Sequence, residues 1–238
     1  SQEQFLLFYQ PQVDECGSVF GLEALVRWQH PVRGLLAPGA FIGLAEVSGL
    51  IEPLGLWILR TACAQLAAWR GDPKRQHLRI AVNISARQLH HPDFVAQVLS
   101  ILAETGAPPA LLELELTESH LVEDLAGATA KMRALQASGL RLALDDFGTG
   151  YSSLHYLKRL PLHQLKIDQS FVRDLLIDAN DLSIVKAVID MGHHLGLEVL
   201  AEGVEHPAQR DMLLQAGCRR FQGYLFGHPT PVDRLALD

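Results

Sequence analysis

The chain has 238 residues, of which 48% are hydrophobic and 20% are charged, and its formal net charge at pH 7 is −7. This hydrophobic fraction supplies ample core for a globular domain, and single α/β barrels commonly have this size. The acidic balance argues against a protein that coats a nucleic-acid polymer, which normally shows a basic face, but it leaves room for a phosphate-bearing small ligand, because metal ions supply positive charge locally.

The sequence contains no run typical of a signal peptide or of a membrane span, which needs ~18 apolar residues. The cysteines Cys16, Cys63 and Cys218 lie far apart and form no paired motif, which is typical of reduced thiols. We therefore expect a cytoplasmic protein, or the cytoplasmic domain of a larger, membrane-anchored one, with no membrane contact by this domain itself. A strand-like run begins almost at the first residue, so we expect residues 1–238 to be a single domain cut from a longer protein.

Two strands open the chain, at 5–13 and 20–28. Only a short polar turn separates them, and a parallel pair needs a crossover of about a dozen residues or more, so the two are predicted to be antiparallel neighbours. Helical periodicity follows at 41–47 and at 53–69, where Pro53 suits a first helical turn.

The rest of the chain alternates strands with helices. The predicted elements are strand 78–82, helix 92–104, strand 111–116, helix 122–137, strand 140–144, helix 151–157, strand 164–167, helix 182–195, strand 197–201, helix 207–215 and strand 219–222. Such alternation implies parallel strands with right-handed crossovers. The whole series predicts a (β/α) barrel, atypical in its first strand pair, and an open doubly wound sheet is the competing architecture.

Polar side chains stand at the end of nearly every apolar strand. In chain order they are Glu23 within its strand, Asn83, Glu115, Asp145 with Asp146, Lys166 with Asp168, Glu202 and Gln222. In a barrel of this kind the active site lies at the carboxyl ends of the strands, so these side chains are expected to meet there. A barrel built for stability alone would not need them.

Asp145 and Asp146 are the most demanding of these residues, because neighbouring carboxylates at the end of a buried strand repel each other and lose hydration. A cation would remove that cost. Side chains alternate between the two faces of a strand, so the pair converges only if the strand bends as it ends. Gly148 and Gly150 make such a bend easy.

The candidate ligands are rich in oxygen, with four or five carboxylates and one amide. Mg²⁺ or Mn²⁺ matches that chemistry better than zinc does. Six groups suit two metals about 3.5–4 Å apart that share one carboxylate, which is the arrangement for in-line phosphoryl displacement. Lys166 would then orient or deprotonate the attacking water or hold a phosphate oxygen, and a role as base would need a lowered pKa.

Eight short motifs follow one another along the chain. They are Tyr9-Gln10-Pro11, Glu23-Ala24-Leu25-Val26-Arg27-Trp28, Asn83-Ile84-Ser85, Glu115-Leu116-Thr117-Glu118-Ser119, Asp145-Asp146-Phe147-Gly148-Thr149-Gly150-Tyr151-Ser152, Leu165-Lys166-Ile167-Asp168, Ala201-Glu202-Gly203-Val204-Glu205 and Gln222-Gly223-Tyr224. Jointly, and in this order over nearly the whole chain, they resemble the motifs of the EAL domain family, the cyclic di-GMP phosphodiesterases.

The resemblance implies a modified (β/α)8 barrel of the TIM type with one antiparallel strand. It also implies hydrolysis of one phosphodiester of cyclic di-GMP to linear pGpG, assisted by two Mg²⁺ or Mn²⁺ ions, with Ca²⁺ inhibitory. By motif position the implied metal ligands are Glu23, Asn83, Glu115, Asp145, Asp146 and Glu202, with Asp145 shared between the ions. Lys166 would activate the water, and Glu23 and Glu202 would also take part in catalysis. The implied substrate contacts are Gln10, Leu25, Arg27, Asp168, Glu205 and Gln222.

A switch and partners are implied in the same way. Glu118 would brace the loop of Phe147, Gly148, Thr149 and Gly150 near a homodimer interface, and a sensor or GGDEF-type domain is expected upstream. Two alternatives stay open. One is a cyclic di-GMP receptor without turnover, against which the intact ligand set argues, and the other is a metal-dependent barrel enzyme acting on another phosphorylated or enolisable substrate.

Overall fold

The computed structural model describes residues 4–118, 124–148 and 157–235. Within those ranges a single sheet of ten strands forms the centre of the molecule. The strands are β1 (Phe5–Asp14), β2 (Val19–His30), β3 (Gly34–Leu36), β4 (Arg79–Asn83), β5 (Leu112–Thr117), β6 (Arg141–Phe147), β7 (Gln164–Ile167), β8 (Glu198–Ala201), β9 (Arg220–Gln222) and β10 (Thr230–Pro231).

Eight of these strands close into a barrel. The order runs from β1 through β9, β8, β7, β6, β5, β4 and β2 and returns to β1, which pairs with both β9 and β2. β1 is antiparallel to both of these neighbours, whereas the other pairs around the barrel are parallel. The barrel with one antiparallel strand is therefore confirmed. The open doubly wound sheet is wrong, because the β1–β2 pairing removes both edges.

Helices cover the outside of the barrel. They are α1 (Ile42–Ser48), α2 (Ile51–Ala68), α3 (Ala86–His90), α4 (Phe94–Thr105), α5 (Leu125–Ala137), α6 (Gln169–Arg173), α7 (Ala179–Leu195) and α8 (Pro207–Gln215). The sequence pattern missed α3 and α6, because each has five residues and so spans less than two turns. The helix predicted at 151–157 lies outside the described residues except for Leu157. None of the helices in the described ranges is long and apolar enough to cross a membrane.

The strands alternate an apolar face with a polar face, and the polar face points into the barrel. On β5, three buried leucines alternate with the buried Glu113 and Glu115. Contacts that cross the barrel show which face points inward, since Glu198 on β8 reaches Arg79 on β4 at 3.2 Å. The apolar core is consequently the layer between strands and helices, and the barrel interior holds the charges.

An ion network closes the amino-terminal end of the barrel interior. Glu198 Oε2 accepts from Arg79, Arg141 and Arg220, which begin β4, β6 and β9. Arg141 also donates to Glu113 at 2.9 Å. At the opposite, carboxyl-terminal end, Glu115, Asp145 and Glu202 contact the ammonium of Lys166, and Arg27 on β2 interacts with Glu23.

Candidate metal centre and substrate cavity

Lys166 lies at the centre of the carboxyl-terminal end of the barrel. Its side chain leaves β7 on the inward face and is fully buried. The ammonium nitrogen Nζ is 2.8 Å from Glu115 Oε1, 3.2 Å from Asp145 Oδ2 and 2.7 Å from Glu202 Oε1. The acids at the ends of β5, β6 and β8 therefore meet at one ammonium group, as their positions at strand ends predicted.

The surrounding acids determine the protonation state of this lysine. Burial alone would lower the pKa of Lys166, but the carboxylates of Asp145, Glu115, Glu202 and Glu23 outweigh burial and hold that pKa well above its usual value. Without a metal, Lys166 is therefore an ammonium group that forms ion pairs with these acids. The lowered pKa that a base would need requires the acids to be neutralised first.

The sequence predicted a strand at 140–144 that ends before Asp145 and Asp146, but the observed strand includes both residues. β6 continues to Phe147, and Asp146 has a φ of 53°, the one positive value at a non-glycine position among the described residues. The register with β7 shifts across this pair, which is a bulge. As a result, carboxylate oxygens of Asp145, Asp146 and Glu202 lie within 4.8 Å of one another. The predicted bend is therefore present, and it begins at Asp146 itself; Gly148, two residues later, also has a positive φ of 99°, and Gly150 lies outside the described residues.

The acids at this end exceed the positive charge that the chain supplies. Burial, Asp145 and Asp168 raise the pKa of Asp146 to about 6. Burial and the neighbouring carboxylates also hold the pKa values of Glu115 and Glu202 well above their usual range, although Lys166 acts in the opposite direction. The five candidate ligand carboxylates, Glu23, Glu115, Asp145, Asp146 and Glu202, and the one ammonium of Lys166 have a formal charge of −4 when all are ionised, which two divalent cations would neutralise.

Glu23 is held in place by two amide groups from other strands. Asn83 at the end of β4 donates from Nδ2 to Glu23 Oε1 at 2.7 Å. Gln222 on β9 donates from Nε2 to Glu23 Oε2 at 2.5 Å. Because Asn83 donates through its nitrogen, its amide oxygen is the atom that remains for a metal. Glu23 and Asn83 are thus brought together as predicted.

These residues fit hard divalent cations, and Asp145, Asp146 and Glu202 are already close enough together to share one. The donors are carboxylate and amide oxygens, the ligands that Mg²⁺ and Mn²⁺ prefer. Glu115 Oε2 is buried and accepts no hydrogen bond from any residue that the structure describes. A buried carboxylate oxygen without a donor is costly, and a metal bond would satisfy it.

A cavity of about 260 Å³ opens beside the acids. It is lined by Gln10, Glu23, Leu25, Asp145, Gln169, Glu202, Gly203, Glu205, Gln222, Gly223 and Tyr224. Seven of these were predicted site residues, and four were missed, namely Gln169, Gly203, Gly223 and Tyr224. Each missed residue directly follows a predicted site residue or the neighbour of one. A search that included the two residues after each predicted strand would have found all four.

Other predicted residues lie around the cavity without lining it. Arg27 is on the same face of β2 as Glu23 and Leu25, and its guanidinium lies 5.4 Å from the centre of the Phe8 ring. Asp168 caps α6 by accepting from Ser170 N at 3.0 Å, and it also contributes to the raised pKa of Asp146.

The predicted contact between Glu118 and the loop after β6 can be followed as far as Gly148. Glu118 Oε1 accepts from Gly148 N at 3.2 Å, and Phe147 is buried. This contact joins the end of β5 to the end of β6. Thr149 and Gly150 lie outside the described residues.

Known proteins resemble this chain over nearly its whole length. The family model described as EAL domain matches residues 1–229. MucR of Pseudomonas aeruginosa, named as a bifunctional diguanylate cyclase/cyclic di-GMP phosphodiesterase, is 44% identical over 235 residues, which are 98% of this chain and 34% of MucR. The cyclic di-GMP phosphodiesterase NbdA of the same organism is 44% identical over 234 residues, 98% of this chain and 30% of NbdA. The chain thus spans about a third of the length of the curated relatives it matches.

Solved structures agree with the barrel. The PaMucR phosphodiesterase in complex with c-di-GMP has a TM-score of 0.95 and 43% identity, and the match covers 99% of this chain and 95% of that one. The FimX EAL domain of Pseudomonas aeruginosa bound to c-di-GMP has a TM-score of 0.88 and 25% identity, with the same two coverages of 99% and 95%.

Proposed function

Since this chain belongs to the EAL domain family, we propose that it hydrolyses one phosphodiester bond of cyclic di-GMP to give linear pGpG, with two divalent cations bound at the barrel end. The observation that carries the proposal is the convergence of acids from separate strands on Lys166 beside an open cavity. The relatives MucR and NbdA, whose names include this activity, support the choice of substrate.

The acids divide into two ligand sets. Glu23, Asn83, Glu115 and Asp145 would hold one ion, and Asp145, Asp146 and Glu202 the other, with Asp145 shared. Two bound Mg²⁺ or Mn²⁺ ions would supply Lewis acidity and an activated water for in-line displacement at phosphorus.

Lys166 remains an ammonium group as long as the acids outweigh its burial. If it stays an ammonium group with the metals bound, it would hold a phosphate oxygen or orient the attacking water and stabilise the charge that develops in the transition state. Two bound cations would offset the acids, and burial together with repulsion by the cations would then lower the pKa of Lys166. In its neutral form Lys166 would have the other role, that of a proton acceptor for the water.

The residues around the cavity bind the substrate. Arg27 would pair with a phosphate of the nucleotide, and Gln10, Leu25, Glu205 and Gln222 would contact its base and sugar. Asp168 holds the start of α6 against the cavity. Ca²⁺ takes 6–8 ligands at longer bonds than Mg²⁺ does, so it would occupy the acids without the geometry for reaction and inhibit.

The test is product formation by purified protein. Cyclic di-GMP with Mg²⁺ or Mn²⁺ should give pGpG by liquid chromatography, and EDTA or Ca²⁺ should stop it. Glu23→Ala and Lys166→Ala should reduce the rate by at least ~100-fold, whereas Arg60→Ala, an exposed change on α2, should not. Wild-type protein that binds both metal and cyclic di-GMP but leaves the nucleotide intact as monomer and as dimer would refute the proposal.

A cyclic di-GMP receptor without turnover is the second candidate. It is supported by the structural match to the FimX EAL domain of Pseudomonas aeruginosa, which was solved bound to c-di-GMP. Calorimetry separates the two functions, because a receptor binds cyclic di-GMP tightly in the presence of Mg²⁺ and releases no pGpG.

A further inference from the structure

We propose that Gln12 is a positioning residue for the metal centre, which fixes the amide of Gln222 and through it the carboxylate of Glu23. The inference deepens the proposed function and rests on it in one respect, namely that Glu23 ligates a metal. No sequence motif singled out Gln12, and it is not among the residues that line the cavity.

A chain of hydrogen bonds carries the inference. Gln12 Nε2 donates to Gln222 Oε1 at 3.0 Å. Gln222 Nε2 in turn donates to Gln10 Oε1 at 3.1 Å and to Glu23 Oε2 at 2.5 Å. Gln10 uses its own nitrogen on the carbonyl of Gly227 at 3.2 Å, so its oxygen is left to face Gln222.

The direction of donation determines which end of Gln222 faces the metal ligand. A side-chain amide has an acceptor end and a donor end that are nearly equal in shape. Without a donor at position 12, rotation of the Gln222 amide by half a turn would break no hydrogen bond between residues 12 and 222. The rotated amide would place its oxygen against Glu23 Oε2 and Gln10 Oε1, where it repels both. Glu23 and Gln10 thus favour the observed orientation of Gln222 from one side, and the Gln12 donor adds to that preference from the other side.

Gln12 occupies a niche built for it. It is 2% exposed, and its partner in the β1–β2 register is Gly21. A Cβ at Gly21 would lie 3.0 Å from Gln12 Oε1, which is closer than ordinary packing allows. The absence of a side chain at Gly21 thus leaves the room in which the Gln12 amide is oriented.

The test measures Mn²⁺ affinity of the substrate-free protein by calorimetry at pH 7.5. Q12E keeps the shape of the side chain but places a carboxylate against Gln222 Oε1, and it should weaken Mn²⁺ binding by about tenfold or more, the range seen when groups behind metal ligands are changed. Q12M removes the donor at similar volume and should have a smaller effect of the same sign. Q65E, a change of the same kind at a half-buried position on α2, should bind as wild type.

A double-mutant cycle separates positioning from loss of packing. If Gln12 acts through Gln222, then Q12M should weaken Mn²⁺ binding in the wild-type background and should have no further effect in a Q222M background. The same loss in both backgrounds would overturn the proposal, as would Q12E protein with wild-type Mn²⁺ affinity.

A crystal structure of metal-free Q12E gives a readout that needs neither metal nor activity. Glu23 should be turned from its position between Asn83 and Gln222. An unmoved Glu23 contradicts the role of Gln12 even in a protein that hydrolyses cyclic di-GMP. If the wild-type protein does not hydrolyse cyclic di-GMP but Glu23 is displaced in the Q12E structure, the proposed function is refuted and the positioning role of Gln12 stands.

Discussion

Replacement of Lys166 by methionine tests how the barrel holds its acids together. The ammonium contacts three carboxylates at 2.7 to 3.2 Å. At an effective dielectric constant of ~20, each such contact is worth roughly 5–6 kcal/mol of attraction, most of which offsets the desolvation of the charges. Removal of one partner of a buried ion pair costs ~3–5 kcal/mol. For a domain of this size, that loss lowers the melting temperature of metal-free protein by roughly 6–20 °C.

The pH dependence of this loss follows from the carboxylates left behind. The pKa values of Glu115 and Glu202 are already raised in the folded protein, and K166M would raise them further. A raised carboxyl pKa in the folded state means that ionisation opposes folding, so stability is lost as the pH rises. The destabilisation by K166M should therefore be larger at pH 8 than at pH 5.5.

Metal binding should reverse most of the effect, because divalent cations replace the missing positive charge. The assay is thermal unfolding followed by circular dichroism, with and without Mn²⁺, at the two pH values. Lys131→Met is the matched control, since Lys131 donates to the carbonyls of Leu89 and His91 at 2.7 and 2.9 Å and forms no ion pair with any acid in the part of the chain that the structure describes. It should lose stability independently of pH and metal. K166M protein that melts like wild type at pH 8 without metal, or that Mn²⁺ fails to stabilise, would refute the reasoning.

Three further predictions follow from single groups. Because the pKa of Asp146 is raised to about 6, ionisation of this half-exposed group opposes folding above that pH. D146N should therefore stabilise metal-free protein by about 1 kcal/mol at pH 7.5. Thermal melts should show no gain near pH 4, and an equal gain at both pH values would contradict the assignment. Arg27→Ala should raise KM for cyclic di-GMP about tenfold and change kcat little, as expected for a contact made equally before and during reaction; steady-state kinetics with a loss confined to kcat would exclude this role. Burial raises the pKa of Cys63 to about 12 and that of Cys218 to about 11, so a thiol reagent at pH 8 should modify the exposed Cys16 and spare the other two; mass spectrometry of native protein with two or three labels would show the burial to be wrong.

The local pattern of the chain was sufficient for most of the elements. The eight barrel strands and the longer helices were found because their apolar residues repeat with a period of about two or about 3.6. The polar turn between 13 and 20 is too short for a crossover, which required the antiparallel pair that closes the barrel. The short elements, such as α6, were missed because so few residues carry no period.

The acids that gather in the candidate metal centre were also readable from the sequence. Strand ends of a barrel meet at one face, so the acids at 23, 115, 145 and 202 had to be neighbours once the strands were known to be parallel. The backbone geometry that brings these carboxylates together did not follow from the sequence pattern. The sequence indicated that Asp145 and Asp146 converge, but the bend begins with the positive φ of Asp146 itself.

What the sequence determined by itself is thus the order of the elements, the fold class and the set of side chains that gather at one end of the barrel. Only the tertiary structure decided the state of those side chains. The pKa of Lys166 depends on carboxylates from other strands, and the carboxylate of Glu23 accepts a hydrogen bond from Gln222, which lies 199 residues away in the chain. Both are effects of distance through space, because electrostatic attraction and hydrogen bonds act between atoms that the strand register brings together, and that register is set by the closed barrel rather than by neighbours along the chain.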